Sequence, residues 1–435
     1  MPVTEDTALA DLPARIVADR IRSGTLTATA VTTALLDRIA AREPTVRAFV
    51  HLDPEKALAD ARRVDRVEKK GVLAGVTLGV KDVIDTATLP TEYGSAAYRG
   101  VQPAWDAPCV AIARHAGAVL MGKTVTTEFA MAATGPTTNP CNPAHTPGGS
   151  SSGSCAAVGA GLVHVAYGTQ TSGSTIRPAA FCGIVGVKPS FGLLDRTGIK
   201  PLSDSLDTLG ILARDVRDAA WYISILSGRP GIAVPDTLPM PKVALFRTPI
   251  WDETGPGTRL ALERAMEALA RAGSPVGEAP VPDWFAPLGG MLDRIMDWET
   301  PKALFHEMTV LRDRLAPKTL AFMDPRLAVT LEQYQAALDH RDFARAQMEA
   351  VFGEADVLIA PAAPDEAPEG LASTGNPAFN KFWTILRLPA VTVPAGLGPK
   401  GLPVGVQVVG RYGQDARVLA AAAFLEDALA AAPAA

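Results

Sequence analysis

Two clusters of glycine and serine, separated by a short apolar run, constrain this chain more than any other feature. The first is Gly148-Gly149-Ser150-Ser151-Ser152-Gly153-Ser154. The second is Gly168-Thr169-Gln170-Thr171-Ser172-Gly173-Ser174, followed at once by Thr175-Ile176-Arg177-Pro178. Between them, residues 156–167 are small and apolar, suited to burial in a sheet or under a helix. Flexible linkers share the Gly/Ser composition, but they do not border a buried run and a Pro-punctuated segment. The pattern predicts two backbone-rich loops tethered to one buried element. Glycine lets a backbone approach a ligand closely, and successive free N–H groups in such loops hold a developing negative charge.

The remaining text is that of a globular α/β protein. Hydrophobic residues make up 48% and charged residues 20% of 435 positions, enough for a sizeable core. A net charge of −5 without Lys/Arg runs argues against nucleic acid or an anionic membrane as partner. Cys109, Cys141, Cys155 and Cys182 form no C-x-x-C pair and read as reduced thiols. The acidic start lacks a signal-peptide pattern, and the longest apolar run, 155–167, is too short for a bilayer. A soluble, cytoplasmic protein is expected.

Helical periodicity is predicted at 8–23, at 27–42 (with Gly24 and Pro44 as stops), and at 54–70. Residues 75–82 read as a buried strand closed by Lys81, whose bland explanation is a salt bridge to Asp82 or Asp85. A helix at 106–116 and a strand at 117–122 follow. Further on come a helix at 216–227, a Gly/Pro-rich connector at 228–241, a strand at 242–246 and a helix at 258–272. Residues 281–347 are irregularly helical. Strands at 356–360, 390–394 and 405–410 flank a Pro-rich loop at 361–377, and a last helix closes the chain. This alternation favours a sheet covered on both faces.

Two motif matches lack the context their chemistry needs. Gly117-Ala118-Val119-Leu120-Met121-Gly122-Lys123-Thr124 fits the phosphate-loop pattern, yet Ala-Val-Leu-Met spends its N–H groups in a strand. Gly149-Ser150-Ser151-Ser152-Gly153 fits the nucleophile elbow with Ser151 as nucleophile, but His306 and His340 lie in helical, charged contexts unsuited to its base. No His/Cys/Asp group has metal-ligand spacing, and no cofactor is implied. A serine nucleophile here needs another base, and lysine serves once burial keeps it neutral. Lys81 is the best placed.

At this point the chain resembles the amidase signature family. The matching segments are GVTLGVKD (75–82), TPGGSSSGS (146–154), GTQTSGSTIRPAAFCGIVGVKPS (168–190), SLDTLGILARDVRDAA (205–220) and LPAVTVPAG with GLPVGVQVVG (388–410). The resemblance implies an α/β fold, a single domain with a large mixed β-sheet between helical layers. It divides the chain into N-terminal helices (1–70), a catalytic core (71–230), a variable substrate-pocket region (242–375) and C-terminal core strands and helix (376–435). It also implies a histidine-free Ser–Ser–Lys triad. Ser174 is then the acyl-forming nucleophile, Ser150 the bridging serine after a cis peptide bond, and Lys81 the general base. The N–H groups of Thr171, Ser172, Gly173 and Ser174 form the oxyanion hole. The chain departs from the family pattern at Gln170 (usually Asp), at Ser172 (usually Gly) and at Arg177, one place later than usual.

The expected reaction is hydrolysis of a small-molecule C–N amide bond through an acyl-serine, releasing amine or ammonia. The alternatives are an ester or carbamate hydrolase on the same triad, an amidase subunit of an ammonia-transferring complex with a partner chain, and a scaffold that has lost catalysis. A homodimer is a further expectation. Trp284, Trp298, Phe382 and Trp383 hint at an apolar or aromatic pocket, although such aromatics are more often core.

Overall fold

The computed structural model describes residues 9–432. Eleven strands form one sheet: β1 (Phe49–Leu52), β2 (Thr77–Lys81), β3 (Val119–Thr124), β4 (Val165–Gln170), β5 (Val185–Lys188), β6 (Thr208–Ala213), β7 (Val243–Leu245), β8 (Val276–Glu278), β9 (Val357–Pro361), β10 (Ala390–Leu397) and β11 (Pro403–Gly410). Their order across the sheet is β1-β3-β2-β4-β6-β5-β10-β11-β9-β7-β8. Strand β2 runs parallel to both β3 and β4, and β7 runs parallel to β8 and β9; the other pairs are antiparallel. The chain is therefore a single domain built on a large mixed sheet.

Strand alternation divides the core between the two faces. Val165 and Tyr167 of β4 join Leu78, Val80, Ile211, Val391 and Val406 under helices Pro108–His115, Val216–Ser227, Pro256–Arg271 and Asp415–Ala430. Ala166 points the other way, into a cluster with helices Ala14–Arg22, Ala28–Val46, Pro54–Arg66 and Ser152–Gly159. On that second face, Leu358 and Ala360 meet helices Leu288–Ala303, Leu331–Phe352 and Ala378–Ile385.

Local departures from expectation have physical reasons. Ala8 lies outside the described residues, and the first long helix starts only at Ala14, directly after Pro13. Pro44 sits inside the next helix, which runs to Val46 and stops at Arg47 in the left-handed region (φ 51°). Val46 is buried, so packing outweighs the one hydrogen bond that Pro44 removes. The phosphate-loop match is strand: Gly122, Lys123 and Thr124 pair with both β1 and β2.

Candidate active site

Parallel pairing of β2 with β4 brings the site together. Val80 stands opposite Tyr167, so the C-terminal ends of both strands reach the same sheet edge and Lys81 arrives beside Thr169. Helix Ser152–Gly159 returns over β4 and is pinned to it by side chains. Ser154 Oγ donates to the Tyr167 carbonyl at 2.7 Å, and Ser151 Oγ contacts the Thr169 backbone. The turn before that helix thus hangs over the same edge. Gly148 takes φ 81°, and a Cβ there would lie 2.8 Å from the Pro178 backbone. The Gly149–Ser150 peptide bond is cis.

Lys81 is fully buried, and its Nζ lies 2.7 Å from Ser150 Oγ and 2.7 Å from Thr169 Oγ1. Burial lowers its pKa from the ordinary 10.5 to about 7, with Cys155 and Asp207 opposing the shift more weakly. Among the described residues no carboxylate lies within ion-pair distance of it. Asp82 is taken instead by Lys123, the lysine of the phosphate-loop match, at 3.1 Å. Asp85 meets the Tyr93 hydroxyl. The salt-bridge explanation for Lys81 therefore fails.

Ser150 and Ser174 line one cavity of about 210 Å³, together with Thr171 and Ser172. Ser151 does not line it. That serine is wholly buried and committed to β4, which removes the nucleophile-elbow reading. His306 is exposed, and His340 contacts the Trp284 carbonyl at 2.9 Å, so neither histidine serves the serines. A larger cavity of about 510 Å³ adjoins the first, shares Ala130, Thr171 and Leu202 with it, and reaches Thr169.

The loop between β4 and helix Ile176–Cys182 is held from beneath. Gln170 Oε1 accepts from the N–H groups of Thr175 (2.9 Å) and Ile176 (3.0 Å), while its Nε2 donates to Thr384 Oγ1 (3.0 Å). Thr384 Oγ1 in turn lies 2.9 Å from the Ser172 carbonyl. Thr171 Oγ1 donates to Asp207 at 2.6 Å, and that buried carboxyl also accepts from Leu202 and Ser203 N–H. Gly173 packs so closely that a Cβ would stand within clashing distance of Asn380 Oδ1. Among the described residues no protein acceptor takes the N–H groups of Ser172, Gly173 and Ser174. Arg177 reaches across to the Gly149 carbonyl at 2.6 Å and to Thr374, and burial brings its pKa down to about 10.

These are the geometric elements of acyl transfer: a hydroxyl at a cavity, a second hydroxyl on a buried amine, and unspent N–H groups beside both. The sequence matches the Amidase family over residues 30–419. The chain belongs to the amidase family. A glutamyl-tRNA(Gln) amidotransferase subunit from Chloroflexus aggregans is 33% identical, with 92% of each chain covered. Its counterpart from Acidothermus cellulolyticus is 34% identical over 95% of this chain and 93% of its own. Among solved structures, a crystallised amidase is 30% identical at a TM-score of 0.86, covering 96% of this chain and 99% of its own. A 6-aminohexanoate cyclic dimer hydrolase is 27% identical at 0.85, covering 97% of each. As a family member this chain is an amidase-type enzyme acting on C–N bonds.

The amidase's aromatics correct one expectation. Trp383, Phe382, Phe285 and Phe246 pack against one another in tilted and edge-on contacts in the core, with Trp284 against Phe285. Trp298 stacks on Tyr334. None of Trp284, Trp298, Phe382 and Trp383 lines the serine cavity, whose described apolar walls include Met131, Met296, Phe322 and Leu202. Thr169 and Thr384 were missed because each is an ordinary hydroxyl until strand register and the Gln170 amide give it a partner.

Proposed function

We propose that the amidase hydrolyses non-peptide amides of small molecules through an acyl-enzyme on Ser174. One observation carries the reading: a fully buried lysine without a carboxylate partner contacts Ser150, and Ser150 shares a cavity with Ser174. With a pKa of about 7, a large share of Lys81 is neutral at pH 7. Its lone pair takes the Ser150 proton as Ser150 takes that of Ser174. Ser174 Oγ attacks the carbonyl carbon, and the oxyanion is held by the N–H groups of Thr171, Ser172, Gly173 and Ser174. Each such donor is worth about 2.7–4 kcal/mol by removal. The relay then protonates the leaving nitrogen, the C–N bond breaks, and water cleaves the acyl-serine along the same path. The segment 242–375 supplies Asp293, Met296, Phe322, Arg326 and Thr374 to the cavity, in keeping with a role in choosing the substrate. Four free cysteines favour a reducing, cytoplasmic setting.

A second reading has specific support. The glutamyl-tRNA(Gln) amidotransferase relatives align with this chain nearly end to end, so an ammonia-transferring subunit with a partner chain is the alternative. Esters and carbamates fit the same acyl-serine chemistry. A fluorophosphonate should label Ser174 in the wild type and leave Ser174→Ala unlabelled and inactive. Normal turnover by Ser174→Ala would refute the nucleophile assignment. Light scattering on the pure chain, combined with an amide, ester and carbamate panel, separates a self-sufficient monomer or homodimer from a chain that is inactive alone.

A further inference from the structure

We propose that the Ser172 hydroxyl donates a hydrogen bond to the acyl part of the substrate, so that the amidase prefers amides bearing a neutral ether or carbonyl oxygen close to the scissile carbonyl. The inference rests on the amidase reading above and narrows its substrate class. Five described residues bring a hydroxyl to the serine cavity: Ser150, Thr171, Ser172, Ser174 and Thr374. Three of them are committed within the protein. Ser150 Oγ is paired with Lys81, Thr171 Oγ1 donates to Asp207, and Thr374 Oγ1 accepts from Arg177 at 3.2 Å. Ser174 is kept for attack. Ser172 is the fifth, and among the described residues its Oγ meets only the Met296 thioether, at 3.9 Å. Sulfur is a weak acceptor, so this proton is available to a better one.

The loop gives that hydroxyl a fixed place. Thr171 on one side is tied to Asp207, Gly173 on the other packs against Asn380, and the Ser172 carbonyl accepts from Thr384 Oγ1 at 2.9 Å. Side-chain rotation remains, which is how a serine hydroxyl turns its proton to a partner. The side chain stands where the family pattern usually has glycine, so this donor is added to the backbone donors of the oxyanion loop. In the reaction above the leaving nitrogen faces Ser150, which returns its proton, and the carbonyl oxygen faces the loop N–H groups. The acyl chain is the part left to meet Ser172 and Met296. In a cavity of about 210 Å³ a bound substrate displaces the water that otherwise satisfies this hydroxyl. An acyl chain of carbon alone then leaves it with sulfur only. This is the asymmetry by which a hydrogen-bonding site rejects an analogue lacking the group. A hydroxyl is uncharged and donates a single proton, so a neutral oxygen suffices.

The test pairs methoxyacetamide with butanamide, and 3-methoxypropanamide with pentanamide; each pair differs by an oxygen in place of a methylene. An α-oxygen also activates the carbonyl, so the quantity read is the change in the ether-to-alkyl ratio of kcat/KM on substitution. Ser172→Ala should lower that ratio about tenfold for the better-placed ether, mainly through KM. Met296→Leu, which removes the sulfur and keeps the hydroxyl, should hold the ratio at or above the wild-type value. Ratios unchanged in Ser172→Ala for both pairs, which an equal loss on ether and alkyl amides would give, overturn the proposal. So does a fall of the Met296→Leu ratio to the alanine value, which would assign the preference to the thioether. Independently of turnover, methoxyacetone and 2-pentanone compete with a fluorophosphonate for Ser174, and the ether's advantage should be about tenfold smaller in Ser172→Ala. An equal advantage in the two proteins overturns the proposal. Failure of the underlying amidase reading looks different: Ser174 would resist labelling in the wild type and no amide would be cleaved, and the proposal would fall with it.

Discussion

Replacing Lys81 with methionine separates a catalytic lysine from a structural one. In the wild type the folded-state pKa is lowered from 10.5 to about 7 by burial. Between those values the unfolded chain binds one more proton than the native state, so unfolding free energy rises with pH by about 1.4 kcal/mol per unit. The contribution is zero above the unfolded pKa and reaches its full cost below the folded one, about 5 kcal/mol. Lys81→Met removes that cost but leaves the Ser150 and Thr169 hydroxyls without the amine, at about 1–3 kcal/mol each. Stability at pH 7 should therefore be unchanged or higher, while amide turnover falls by orders of magnitude. Urea unfolding at pH 7 and pH 10 should show a shallower pH slope in the variant; Lys188, also lowered to about 7 by burial, keeps its own share. In the wild type kcat/KM should fall on the acid side as Lys81 takes up a proton, leaving about 1% of the plateau at pH 5. A rate flat to pH 5, or a variant that is unstable yet active per folded molecule, would refute the reasoning.

Two further perturbations probe what surrounds that lysine. Gln170→Leu strips the acceptor from the N–H groups of Thr175 and Ile176 at about 1–3 kcal/mol each, so kcat should drop tenfold or more with little change in KM. Steady-state kinetics at wild-type level in that variant would remove Gln170 from the support of the loop. Lys123→Met leaves the buried Asp82 carboxylate unpaired and should cost about 3–5 kcal/mol in urea unfolding, most of it recovered by adding Asp82→Asn. A single variant as stable as the wild type would mean that Asp82 is already protonated in the native state.

What the sequence made legible was local. The two Gly/Ser clusters and the strand ending in Lys81 lie within one contiguous half of the chain, and each announces its loop or strand by composition. The long amphipathic helices were equally plain, as at Val216–Ser227, where the expected bounds and the observed ones coincide. Short strands such as Val276–Glu278 escaped because three exposed residues carry no periodic signal. The Asp293–Lys381 ion pair at the cavity escaped for a different reason: the two residues are 88 positions apart, and neither belongs to a motif. The aromatic hint failed because large rings fill the space between helices Leu288–Ala303 and Ala378–Ile385, leaving shorter and charged side chains at the cavity.

Partner chemistry, not burial, distinguishes the lysines. Lys81, Lys123 and Lys188 all end or approach the end of a strand, and all three are fully buried. Composition and periodicity treat them alike. Lys123 meets Asp82 and is spent on charge neutralisation, and Lys188 donates to the Pro189 carbonyl, which has no proton to give. Lys81 alone among them contacts two hydroxyls, one of them at the cavity shared with Ser174. Lys123 has a hydroxyl neighbour too, Thr91, but it carries Asp82 as well and lies off the serine cavity; the parallel register of β2 on β4, with the Gly149–Ser150 turn above it, sets a cavity-lining hydroxyl on an amine without a carboxylate for one lysine of the three.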